Sequence, residues 1–193
     1  MRVRGSERRT DMRRLVSRTH PRAFLITLSC AAALTACGND SAEEVIDEVN
    51  AYPLVSTING EVPPEQPTLV HTSQEILNVM RDGQQVRVYR DVREAGTRAP
   101  IHIHPFGGWT CVVSGQAVLY LDGAEPKKTG PGECVNMPAM TPMSNVNPGP
   151  GPAVLLDSFV TPPNAPVWRI IEVGLEGLGN EFATDHNVKV NPQ

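Results

Sequence analysis

The 193-residue chain is poor in aromatic side chains, with two Trp, three Tyr and four Phe, and only 20% of its residues carry charge. Basic residues are scarcest where a working domain would sit. Eight Arg fall within residues 1–36, leaving nine basic against nineteen acidic side chains in the rest of the chain. A surface that acidic repels phosphate backbones, which excludes nucleic-acid binding. Long hydrophobic runs are also lacking. The apolar run Ala23–Ala36 has fourteen residues, too few to cross a bilayer as a helix. No Gly-x-Ser-x-Gly elbow and no phosphate loop occur, so the familiar acyl-transfer and nucleotide sites are missing. What is present in quantity is 18 Pro and 16 Gly, which interrupt helices and favour a turn-rich all-β domain.

The N-terminus reads as an address. Residues 1–22 are basic and polar, and the apolar run that follows fits a secretory signal. It ends in Leu34-Thr35-Ala36-Cys37, which resembles the bacterial lipobox. That resemblance implies a signal peptide over 1–36, acylation of Cys37, and a lipoprotein anchored to a membrane of the cell envelope, facing the periplasm or the exterior. Each buried CH₂ of an acyl chain contributes about 0.8 kcal/mol, so several chains anchor firmly. Residues 37–74 begin with Asp40, Glu43, Glu44, Asp47 and Glu48 and continue with Pro53, Pro63, Pro64 and Pro67. This composition predicts a flexible tether with at most one helical turn.

From about Glu75 the apolar residues come in short runs separated by turn signals. Val86, Val88 and Val92 alternate after Arg81-Asp82-Gly83; Trp109–Val113 is broken by Ser114-Gly115; Ala117–Leu121 ends at Asp122-Gly123. Cys134–Met137, Val154–Val160 and Val167–Val173 complete the series. Short strands at this spacing predict one sandwich or small barrel over residues 75–175, followed by a tail over 176–193. Ile101, Ile103, Val112, Val135, Leu155 and Phe159 are the expected packed positions, and Trp109 is read as core.

Gly96, His102, His104 and Gly115 stand at the spacing of the first cupin motif, which the stretch Gly96-Thr97-Arg98-Ala99-Pro100-Ile101-His102-Ile103-His104 resembles. The glutamate position of that motif is Gly108. The second motif resembles the stretch from Gly132: Pro138 and Asn147 match, Met140 replaces a glycine, and Met143 stands where a third histidine belongs. The resemblance implies an antiparallel cupin-like β-barrel, a double-stranded β-helix or jelly roll, whose ligands would come from these positions. It also implies a local structural role for Glu133.

Independently of the family, residues two apart on a strand share a face, so His102 and His104 project together. Two neutral imidazoles on one strand begin a metal site; on an exposed strand they would simply meet water. Loss of the carboxylate weakens the case for Fe(II) oxygenase chemistry, while a thioether suits Cu(I) better than Zn(II), Fe(II) or Mn(II). Met143, which the cupin resemblance puts in the third-histidine position, is the candidate third ligand, expected across the barrel from the histidines, and Met137 is read as packing. His71 and His186 are read as surface residues. Cys111 and Cys134 could bridge in an oxidising compartment, but their apolar strands favour two buried thiols, with Cys111 turned away from the site.

Three readings remain open: an envelope protein that binds a metal ion or small molecule in its barrel; a metal-dependent oxygenase or isomerase acting on a small substrate; and a non-catalytic scaffold for another envelope protein. Oligomerisation is compatible with each.

Overall fold

The computed structural model describes residues 42–70 and 72–179. In chain order these form helix α1 (Ala42–Ala51) and strands β1 (Gln66–Pro67), β2 (Thr72–Arg81), β3 (Gln84–Arg93), β4 (Thr97–Arg98), β5 (His102–Ile103) and β6 (Gly108–Ser114). Strands β7 (Ala117–Leu121), β8 (Lys127–Thr129), β9 (Cys134–Met137), β10 (Met143–Asn147), β11 (Ala153–Thr161) and β12 (Arg169–Ile170) follow, then a 3-10 turn at Glu176–Gly179. One sheet runs β2-β3-β11-β6-β9. The other runs β1-β4-β10-β5-β12, with β7 on β10 and β8 on β7. The β2–β3 hairpin closes through Asp82 and Gly83, both left-handed at φ 51° and 79°, the two-residue geometry that matches strand twist.

Alternation places Tyr89, Asp91 and Arg93 of β3, Gly108, Thr110 and Val112 of β6, and Leu155, Asp157 and Phe159 of β11 on the face between the sheets. Leu119, Val135, Met137, Met143 and Phe159 form one core cluster there, and Val112, Ala117, Ala153 and Leu155 another. Ile101, Ile103, Val112, Val135, Leu155 and Phe159 are all buried, as the pattern predicted. Trp109 is not: it lies on the outer face, 51% exposed. It is opposite Ser158 on β11, one position out of phase with the inward Gly108 and Thr110.

A second core lies outside the barrel and overturns the tether expectation. Val49 packs with Ile58, Ile101, Ile103 and Ile171, and Val45 and Tyr52 join that cluster. Val45, Val49 and Tyr52 recur at i, i+4 and i+7, a helical stripe, while Asp47 and Glu48 remain exposed. Arg169 donates to the carbonyls of Val49 and Tyr52 at the end of α1. Val55 then pairs along the edge, donating to Ile171 O at 2.8 Å and accepting from Val173 N at 3.0 Å. The acidic side chains had masked a short amphipathic helix that docks on β5.

The thiol expectation is also corrected. Cys111 and Cys134 are directly opposite on β6 and β9 and form a disulfide. Cys134 is exposed. Both face away from the barrel interior, as alternation required of Cys111, and residues opposite in an antiparallel pair are near enough to bridge.

Candidate functional site

Strand β5 is buried on both faces, and this puts imidazoles inside the protein. Ile101 and Ile103 turn outward to the α1 core; His102 and His104 turn inward and are each 5% exposed. The Nδ1 of His102 lies 2.7 Å from Pro100 O, and that of His104 lies 2.6 Å from Val167 O. A carbonyl can only accept, so each Nδ1 carries the hydrogen and each Nε2 keeps its lone pair, the tautomer of a metal-ready histidine. Among the described residues neither Nε2 has a hydrogen-bond partner. Burial pushes the pKa of His102 down to about 3, with His104 adding to the shift, and burial pushes that of His104 down to about 4. Both rings are neutral at physiological pH. They sit edge-on to each other with centroids 4.9 Å apart.

Met143 is fully buried and directly opposite His102 on the neighbouring strand β10. It is a cross-strand neighbour of His102 rather than a residue facing it across the barrel, and Cβ atoms of such pairs lie about 5 Å apart. Met137 packs in the same interior cluster as Met143, whereas Met140 packs against the outer core.

The place of the missing carboxylate is taken. A Cβ at Gly108 would lie 2.7 Å from Phe159 Cδ1 and 2.8 Å from Ser158 O. The Phe159 ring also stacks on His104 with centroids 4.8 Å apart, and Trp168 stands edge-on to His102 at 5.3 Å. Aromatic rings thus wall the histidine pair. Among the described residues no group of three or more His, Cys, Asp or Glu is placed to hold a metal ion. The donor set does not fit a hard ion demanding a carboxylate; two imidazoles beside a thioether fit a soft one.

A second polar feature occupies the interior. Asp91 and Asp157 are diagonal neighbours across β3 and β11, and among the described residues each has a buried Oδ1 with no hydrogen-bond partner. Burial, and then the Asp91 charge, push the Asp157 carboxyl up to about 8; burial raises Asp91 as well. Two adjacent carboxylates cannot both ionise cheaply in a low-dielectric interior, so Asp157 stays protonated at neutral pH. Arg93, its pKa lowered to about 10 by burial, supplies the balancing charge.

Other motif residues hold the frame. Asn147 is fully buried, donating to Arg93 O at 3.0 Å and Gly151 O at 2.9 Å. Glu133 accepts from Gly130 N at 2.7 Å across its turn, the local structural role expected for it. A groove of about 820 Å³ beside Ile58, Val62, Tyr120 and Pro126 shares no residue with the histidine site. Cys37, His71 and His186 lie outside the described residues. Sequence reasoning missed Trp168 and the Val167 carbonyl as site components. It placed Phe159 in the core but not beside His104.

Two antiparallel-dominated sheets enclosing a His-x-His pair define a double-stranded β-helix barrel. Residues 89–166 match the family model described as Cupin domain. Similar solved structures include a Klebsiella pneumoniae protein with a double-stranded beta-helix domain, 24% identical over 64% of this chain and 94% of that one, with a TM-score of 0.41. A Cupin 2 conserved barrel domain protein from Salinispora arenicola is 20% identical over 45% of this chain and 71% of that one, TM-score 0.39. A recombinant oxalate oxidase in complex with glycolate is 23% identical over 39% of this chain and 42% of its own, TM-score 0.37. The chain thus spans less than half the length of that oxidase. No curated protein matches the chain.

Proposed function

We propose that this protein is a lipid-anchored cell-envelope cupin that binds a soft metal ion, Cu(I) foremost, through His102, His104 and Met143. The observation that carries the reading is the locked tautomer of both histidines: each Nδ1 is committed to a carbonyl, leaving two neutral Nε2 donors beside a buried thioether. Bound there, the ion would supply a soft Lewis-acid centre. The protein's own contribution is to hold the imidazoles neutral and to keep the pocket apolar with Phe159 and Trp168. The enzyme alternative, an oxygenase or isomerase, is less well supported, since Phe159 fills the space an anionic fourth ligand would need. The lipobox at Cys37 supports the anchor, and the Cys111–Cys134 disulfide accords with an oxidising compartment.

The test uses the full chain purified without a polyhistidine tag. Its metal content after loading with Cu(I) should approach one ion per chain and fall to background in His102→Ala, and Cys37→Ser should leave the detergent phase. Copper retained unchanged by His102→Ala would refute the site, and unaltered detergent partitioning would refute the anchor.

A further inference from the structure

Away from the histidines, the turn Ile58–Glu61 folds against the connection between β7 and β8, and a groove of about 820 Å³ opens between them. Ile58 and Glu61 exchange backbone hydrogen bonds at 2.8 and 3.0 Å around Asn59 and Gly60, both left-handed at φ 53° and 82°, the geometry of a tight hairpin turn. Asn59 then clamps this turn to its neighbour. Its side chain donates to Leu121 O at 3.0 Å and to Ala124 O at 2.9 Å, and accepts from Gly123 N at 2.7 Å. Its own N–H donates to Asp122 Oδ1 at 3.2 Å. These bonds fix one rim, so the groove is formed before anything enters it, and little ordering is left to oppose binding.

The lining is of two kinds. Ile58 and Pro63 are buried and form an apolar base, which Pro126 and the half-buried Tyr120 continue. Glu61 and Glu125 are exposed, and they are the only charged side chains among the described residues of the lining. Neither carboxylate has an ion-pair or hydrogen-bond partner among the described residues, and the Tyr120 hydroxyl has none either. Lys127 and Lys128 follow Pro126 but do not line the groove. We propose that this groove binds a small organic cation, an amine or quaternary ammonium carried on an apolar body. The apolar body covers Ile58 and Pro63. The ammonium lies between the carboxylates of Glu61 and Glu125, beside the Tyr120 ring, whose quadrupole attracts a cation. The volume falls among those of pockets that enclose a drug-sized ligand, roughly 300–1,000 Å³. An anion of the same shape would meet two carboxylates with no counter-charge, and the acidic excess of the chain after residue 36 adds to the repulsion. No residue of the groove belongs to the His102 and His104 site, so this ligand is distinct from the metal.

Phenylbutylamine, phenylbutyrate and phenylbutanol share one apolar body and differ in charge, so calorimetric titration of the full chain with the three tests the proposal. The amine should bind with a Kd of about 1 mM or below, at least about tenfold tighter than the carboxylate and tighter than the alcohol. Its affinity should fall as salt is raised. Glu61→Gln and Glu125→Gln, both at exposed positions, should each weaken the amine about two- to fivefold and leave the urea midpoint unchanged, which separates loss of charge from loss of fold. In isotope-labelled protein the backbone amide signals of Gly60, Gly123 and Ala124 should shift as the amine is added. Equal affinity for amine and alcohol would overturn the proposal, as would amine binding that is unchanged when both glutamates are replaced. Shifts confined to other parts of the chain, or no binding of the amine at about 10 mM, would overturn it as well.

Discussion

An imidazole whose Nδ1 hydrogen is committed to a carbonyl has one lone pair left to offer, and His102 and His104 are both held in that state. The same burial that readies them makes them sensitive to acid. Their folded pKa values of about 3 and about 4 lie below the ordinary 6.5, so the unfolded chain takes up more protons between these limits, and stability falls as pH drops from about 6.5 towards 3. Asp157 acts in the opposite sense. Its folded pKa of about 8 lies above the ordinary carboxylate value, so stability falls as pH rises from about 4 to 8. Two histidines outweigh one carboxyl on the acid side, which places the stability maximum near pH 6.5. Urea midpoints measured across pH 4–9 should trace that maximum, with a shallower acid limb in His104→Gln. A midpoint that rises steadily through pH 8 would contradict the protonated Asp91–Asp157 pair.

At the scale of elements, β6 and β11 approach so closely at Gly108 that no side chain fits. Restoring the family carboxylate by Gly108→Glu alone is therefore expected to cost roughly 1–3 kcal/mol through overpacking against Phe159 and Ser158, without creating a hard-metal site. Gly108→Glu with Phe159→Ala removes the ring contact and should raise Zn(II) affinity over the single variant, as zinc titration would show, at a further cost in stability from the core cavity it opens. Equal Zn(II) affinity in the two would mean the glutamate does not reach the histidines. This contact also shows where sequence reading stops. The alternation Ile101-His102-Ile103-His104 made the inward pair legible, and Gly96, Gly115 and Asn147 made the frame legible. That Phe159 fills the gap at Gly108 depends on the register between β6 and β11, two strands with many residues between them. The helix α1 was hidden for a different reason: its acidic side chains dominate the composition, although Val45, Val49 and Tyr52 already carried the helical spacing.

At the scale of the whole molecule, an apolar-walled histidine pair sits in a barrel whose outer layer, α1 and Val55, ties the start of the described chain to its end at Ile171 and Val173. The carbonyls of Pro100 and Val167 fix both tautomers, and the register of β10 on β5 places Met143 beside His102 rather than across from it. The central claim is that these three side chains select a soft ion, and calorimetric titration of the parent and Met143→His with Cu(I) and Zn(II) tests it most directly. The parent should bind Cu(I) in preference to Zn(II), and Met143→His, by replacing the thioether with a third imidazole, should shift the preference towards Zn(II). Equal affinities for both ions in the parent, or a preference that does not move in Met143→His, would contradict the account.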